Sequence, residues 1–518
     1  MAATRIHTQV VTAYPDYLRD ESRRQGCADG IAFPEHEAEV CALLADCTLR
    51  SVPVTVQGSR TGLTGGAVPE GGVILTLTHM GRILGTRTGS GGERLLSVQP
   101  GLRLEELRSV LAGVPDSTAG PETAKGAGGG MYFFPPDPTE ATASLGGMAA
   151  CNASGALSFR YGPTRCHVHA VRLALADGDL LVLERGAHRC DGDTMEMRTQ
   201  GGRTISCLRP ALDMPAVKHA AGYYSRPGMD LVDLFIGSEG TLGVITELEL
   251  RLSRVPGCIW GVVVFLDEES MAVSLAGSLR AGSLRPAAME YFSPEVLNLL
   301  HRHKKAHPGL EAIPALPPLP RAALYLEYHD PDDGAGYRTM GALMDVLAGH
   351  GGDPDLVWAA LEPRELACLK AFRHAAPECV NLRLDELRLS EPGLTKLATD
   401  LAVPDQAFGA LLDRYRRDLG SSGVECALFG HLGDNHLHVN MLPQNLAAYQ
   451  AGAAMVVEWA RLAVALGGTV SAEHGIGKLK RPMLEIQFGG SGVAEMERLK
   501  RVFDPDLLLN RGTLIPTS

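Results

Sequence analysis

A chain of 518 residues, 45% hydrophobic and 21% charged, holds apolar material for roughly three domain-sized units of about 150 residues each. Its formal net charge of -12 and pI near 5.8 repel phosphate backbones, and no basic stripe offsets them, so nucleic acid is not an expected partner. No apolar run approaches the roughly 18 residues of a transmembrane helix, and the N-terminal segment lacks the apolar core of a secretory signal.

The eleven cysteines are scattered with no CxxC pair, which suits reduced thiols in a cytosol and gives no ligand set for an iron–sulfur cluster. Along the chain, helical periodicity predicts a helix over His36–Ser51, followed by strands at Val52–Val56, Gly72–Leu77 and Leu95–Gln99. Leu102–Ala112 reads as an amphipathic helix, and Val168–Leu183 as two strands about a Gly-Asp turn. The polar stretch Arg185–Met229 reads as an extended surface excursion before a strand at Leu248–Leu252. Beyond Val255 the pattern alternates: strand Ile259–Leu266, helix Glu268–Ala281, strand Ala287–Phe292, helix Pro294–His301, a proline-rich break at Leu316–Arg321 and strand Ala322–Tyr328. That alternation predicts a second, α+β unit with an antiparallel sheet.

Three Gly-rich segments punctuate the first half. The first, Val56–Ala67 (VQGSRTGLTGGA), follows a predicted strand; its backbone N–H groups suit either a pyrophosphate nest or a plain tight turn. It is neither GxGxxG nor a P-loop. The second, Pro135–Gly162, suits a ligand-lining loop or an ordinary loop leading into a helix of small residues. The third, Ile236–Thr246 (IGSEGTLGVIT), runs between two predicted strands and reads as a ligand loop or a bulged hairpin.

The C-terminal part carries a denser signal. Phe429–Asn440 reads FGHLGDNHLHVN and Val470–Lys480 reads VSAEHGIGKLK. His436 and His438 have strand spacing and share a face. His431 stands at an odd offset from His438, and the turn formers Gly433-Asp434-Asn435 can bring it back to the same ion. Imidazoles with the carboxylate of Glu473 are a ligand set for Zn²⁺ or another divalent cation with open positions; buried structural histidines are the alternative. HEXXH is absent, which removes a zinc-protease reading.

In this order, the three Gly-rich segments and the two C-terminal motifs resemble the vanillyl-alcohol oxidase / p-cresol methylhydroxylase superfamily. Within it they are most similar to the D-lactate dehydrogenase (cytochrome) and glycolate oxidase FAD-subunit branch. The resemblance implies an α+β fold: an N-terminal extension (1–30), a two-subdomain FAD-binding domain (31–255), an α+β substrate or cap domain (256–470) and a C-terminal helical segment returning to the flavin (471–518). By position it assigns Gly58, Ser59, Arg60, Thr61, Gly62, Gly65 and Gly66 to the pyrophosphate. Pro135, Asp137, Ser144, Gly147, Asn152, Gly155 and Tyr161 fall to the flavin and ribityl region, and Glu239, Gly240 and Val244 to the adenine end. Asn510 would sit near the ring. His431, His438 and Glu473 would hold the metal and His474 would act as base. Arg373 would grip the substrate carboxylate, with Lys396 a second candidate for that task.

No His lies in the first loop, so non-covalent FAD is expected. The sequence departs from the family at Asn435-His436, where Gly-Asn is usual, so His436 competes as a ligand. Ala472 replaces Gly, and Arg511 and Thr513 replace the Pro and Lys of the terminal motif. The implied activity is oxidation of a D-2-hydroxy acid of the D-lactate, glycolate or D-2-hydroxyglutarate type. Electrons would pass to an acceptor such as electron-transfer flavoprotein, a cytochrome or an iron–sulfur subunit. A homodimer is compatible with this reading, and the expected location is cytoplasmic, peripheral to a membrane only through an acceptor partner. The alternatives are an oxidase using O₂ directly, an alkyl-dihydroxyacetonephosphate synthase-type non-redox enzyme, and a non-catalytic flavin electron-transfer subunit. For the second of these, no basic phosphate pocket is visible.

Overall fold

A computed structural model describes residues 5–113, 131–305, 307–318 and 322–516. The N-terminal part is built on two sheets. In the smaller, Gly30–Ala32, β1 (Val54–Gln57) and β2 (Val73–Thr76) are parallel, β2 in the middle, with Ile6–His7 antiparallel on the outer edge. The helix expected at 36–51 forms over Glu37–Leu49 and buries Val40, Leu43, Leu44 and Cys47 against β1 and β2. In the larger sheet the long strand β3 (Val244–Arg254) lies between Arg94–Val98 and Val168–Ala174, every pairing antiparallel.

The second unit is a seven-stranded antiparallel sheet, as its alternating pattern predicts. Its strands run in the order Val357–Ala360, β4 (Cys258–Leu266), β6 (Ala322–Asp330), β5 (Ala288–Phe292), β7 (Glu425–His431), β8 (His436–Leu442) and Leu397–Ala398. The period-2 geometry of a strand with both faces covered explains why β4 is apolar throughout. Val262, Val264 and Leu266 of β4 pack with Leu275 and Leu347 on one face, while Val263 and Phe265 pack with Leu300 and Phe372 on the other. Phe372 belongs to α1 (Pro363–Arg388), the long helix that carries Arg373. No helix among the described residues is long and apolar enough to cross a membrane.

Two expectations are corrected. The third Gly-rich segment is entered from a short helix, Val232–Phe235, not a strand; a brief apolar run does not distinguish the two by periodicity. The stretch Arg185–Met229 is more than a surface excursion. It forms a hairpin, Thr194–Arg198 with Thr204–Leu208, that buries Met195 and Met197, and then turns inward through Lys218 to Tyr223. The proline-rich break at 316–321 lies partly outside the described residues.

Candidate active site

The three Gly-rich segments converge on one cleft of about 800 Å³, which continues to the C-terminal histidines. Loop approach sets its floor. A Cβ on Gly58 would stand 2.1 Å from Ser144 Oγ, so glycine there lets the first loop close on the second with Ser144 in its capping position. Ser144 caps the helix Leu145–Cys151, accepting from Gly147 N at 3.3 Å, and also accepts from Ser59 N at 3.4 Å.

Gly58, Ser59, Arg60, Thr61, Gly62, Gly66, Ser144, Gly147, Gly155, Glu239, Gly240, Val244 and Asn510 all line the cleft. Arg60 lays its guanidinium 4.0 Å over the Tyr17 ring, and its buried Nη1 donates to none of the described residues. An unspent cationic donor beside a glycine loop fits the pyrophosphate of FAD.

Five of the expected cofactor residues do not line this cleft: Gly65, Pro135, Asp137, Asn152 and Tyr161. The side chains among them have partners elsewhere. Asp137 accepts from Leu157 N at 2.9 Å and faces Arg373 at 3.4 Å. Asn152 donates to the His219 carbonyl and accepts from Arg165 N, while the Tyr161 hydroxyl bonds His329 Nδ1 at 2.7 Å. Glu239 lines the cleft, yet its carboxylate is turned to the C-terminal segment, accepting from Ile476 N and Gly477 N at 2.8 Å each. Asn510 Nδ2 donates to the Glu239 carbonyl at 2.6 Å and its Oδ1 accepts from Val56 N at 2.7 Å, so it stitches β1 to the third segment.

At the far end β7 and β8 form a hairpin in which His431 pairs with His436 and Phe429 with His438. Cross-strand partners project to the same face, which resolves the odd offset of His431. Glu473 lies across them: its Oε1 is 3.3 Å from His431 Nε2 and 3.2 Å from His438 Nε2. The opposite nitrogens are held, His431 Nδ1 by Glu290 at 2.7 Å and His438 Nδ1 by the Thr399 carbonyl at 3.1 Å. Such outer partners orient metal-ligating imidazoles, and the donor set fits a divalent cation.

His474 stacks on His438 with centroids 5.3 Å apart, its Nδ1 3.6 Å from Asp400 and its Nε2 3.6 Å from Glu473. Burial, with Lys480 and His438 nearby, outweighs the pull of Asp400 and lowers its pKa to about 4. Arg373 reaches the same cleft from α1, with Asp137 and Glu290 beside it at 3.4 and 3.8 Å. Lys396 also lines the cleft, bonded to Asn381 Oδ1 at 3.2 Å.

Lys218 was not foreseen. Its side chain is 5% exposed, and its ammonium donates to Glu473 Oε2 at 2.7 Å and stands 3.9 Å from Asp434. Burial opposes the charge, but these carboxylates raise its pKa above the ordinary value. Nothing in a polar stretch 255 residues from Glu473 signals that contact.

A glycine-lined cleft ending in a histidine–carboxylate cluster fits a dinucleotide cofactor beside a polar reaction site. Two family models match the chain, "FAD binding domain" over residues 28–184 and "FAD linked oxidases, C-terminal domain" over residues 260–514. The chain belongs to the FAD-linked oxidases. It is 28% identical to the glycolate oxidase subunit GlcD of Bacillus subtilis (95% of this chain, 89% of that one) and 28% identical to D-lactate dehydrogenase of Anaerostipes hadrus (96% and 92%). It is also 28% identical to D-2-hydroxyglutarate dehydrogenase of Xanthomonas citri pv. viticola (97% and 92%). Among solved structures, alkyldihydroxyacetonephosphate synthase shares the fold at a TM-score of 0.63 and 16% identity, over 94% of this chain and 76% of that one.

Proposed function

We propose that this protein oxidises a D-2-hydroxy acid with non-covalent FAD and a divalent metal, and passes the electrons to an acceptor other than O₂. One observation carries the reading: Glu473 lies 3.2–3.3 Å from His431 and His438 in the cleft that Arg373 and His474 also line. The three relatives are named for different substrates. Glycolate, D-lactate and D-2-hydroxyglutarate share a hydroxyl beside a carboxylate, and that head is what such a site would hold.

His431, His438 and Glu473 would hold the cation. Bound there, the metal supplies Lewis acidity toward the substrate hydroxyl and FAD supplies the two-electron oxidant. Arg373 receives the carboxylate, its fork suited to two oxygens. His474, neutral through burial, takes the hydroxyl proton, and Asp400 on its Nδ1 side orients the ring. Lys218 and Ser154 occupy Glu473 Oε2 and leave Oε1 toward the histidines. The reading includes a cytoplasmic location and a separate redox partner.

Anaerobic mixing with a panel of D- and L-2-hydroxy acids tests it. The flavin should bleach with at least one D-acid, chelation should abolish bleaching, and added metal should restore it. Full bleaching by a demonstrably metal-free sample would remove the metal from the mechanism. Stoichiometric peroxide in air would overturn the choice of acceptor.

A further inference from the structure

His436 stands where the family motif carries Asn, and its surroundings are unusual for a structural histidine. The side chain is fully buried, and among the described residues Nδ1 has no hydrogen-bond partner while Nε2 has only a poorly aligned contact with Asp400. Buried polar atoms without a partner are rare in folded proteins, and a bound ion is among the standard explanations. His436 is the register partner of His431 and lies two residues before His438, so all three rings project from one face of the hairpin. Centroid distances are 5.4 Å to His431 and 4.4 Å to His438. One ligand atom from each of His431, His436, His438 and Glu473 lies within 4.8 Å of all the others. Ligand atoms bound at about 2.0–2.2 Å stand up to roughly 4.4 Å apart across an ion, so only a small contraction is needed. Asp400 Oδ1 stands 3.1 Å from His436 Nε2, much as Glu290 flanks His431 and the Thr399 carbonyl flanks His438.

We infer that His436 is a fourth protein ligand, so that this chain holds its cation with three imidazoles and one carboxylate. The inference rests on the metal-assisted reading above. Four protein ligands leave a tetrahedral ion no open position. Substrate chelation would then call for an ion that accepts five or six ligands, such as Mn²⁺, Fe²⁺ or Co²⁺.

X-ray absorption on the FAD-loaded enzyme carrying one equivalent of Co²⁺ or Zn²⁺ counts the imidazoles directly, without turnover. Three are expected in the wild type. His436→Asn should show two and bind metal more than about tenfold more weakly by competition with a chromophoric chelator. The wild-type count stands by itself should the variant misfold, and His436→Gln offers a second route. A wild-type spectrum with two imidazoles, or one that His436→Asn leaves unchanged, overturns the inference while the metal reading survives. Failure of the wild type to retain any stoichiometric metal overturns both.

Discussion

His474 presents a neutral imidazole to the cleft because the surrounding protein disfavours its charged form. Its lowered pKa, near 4, sets the sign of a pH effect. The base form persists well below the ordinary histidine value, so the acid limb of kcat/KM should fall as pH approaches 4, not near 6.5. A limb at 6.5 that shifts with His474 variants would refute this. Replacing His474 with Ala should slow anaerobic flavin reduction about 10²–10⁴-fold while FAD remains bound; a near-normal rate would assign the proton elsewhere. Lys218 makes a different prediction. Lys218→Met leaves Glu473 without its closest cation, and breaking a buried pair costs about 3–5 kcal/mol. The metal-free variant should melt well below the metal-free wild type, and added divalent cation should recover part of the gap. Equal melting temperatures in chelator would show that the pair contributes little. The three histidines were legible because their spacing is local, and Glu473 because its VSAEHGIGKLK segment resembles a family motif; Lys218 was not, since only the fold brings it to Glu473.

The loops and their supporting strands depend on close approach. Gly477 has φ +53°, and a Cβ there would stand 2.2 Å from the Thr64 carbonyl. Gly477→Ala therefore meets both an unfavourable backbone region and a backbone clash, about 1–3 kcal/mol for the first alone. It should lower the melting temperature and weaken flavin retention, read as fluorescence released on gentle heating. Retention of both at wild-type values would mean that the two loops can part without consequence. Regular elements were the more legible part of this scale: β1 to β6, including the doubly buried β4, follow from alternation and apolar runs, whereas the hairpin Thr194–Arg198 with Thr204–Leu208 lay in a stretch whose polarity suggested a surface excursion. Loop destinations were not. Asp137, Asn152 and Tyr161 have family-like positions in sequence, but Arg373, His219, Arg165 and His329 engage their side chains. Hydrogen-bond partners so far away in sequence leave no periodic trace.

Across the whole molecule, the cleft draws on both units and on the final segment. The α+β division and the antiparallel second sheet were readable from the change of pattern after Val255. The inward path of residues 218–223 was not, because a polar stretch gives no sign of the carboxylates it will meet. Val54 N donates to the Leu508 carbonyl at 2.9 Å and Asn510 N to the Val54 carbonyl at 2.8 Å, which lays residues 508–510 beside β1. A chain ended after Asp504 loses these bonds and the Asn510 side-chain stitch together. It should purify with little or no flavin, measured as the ratio of 450 to 280 nm absorbance; normal flavin content would show the stitch to be dispensable.

That stitch also orders events during synthesis. β1 leaves the ribosome early, but residues 508–510, which flank it, are translated only after every strand of both units. The nascent chain must therefore carry an unfinished cofactor cleft, with the unpaired edge of β1 exposed, through almost the whole of its elongation. Completion of the cleft is then a late event that waits for residues 508–510 to be made.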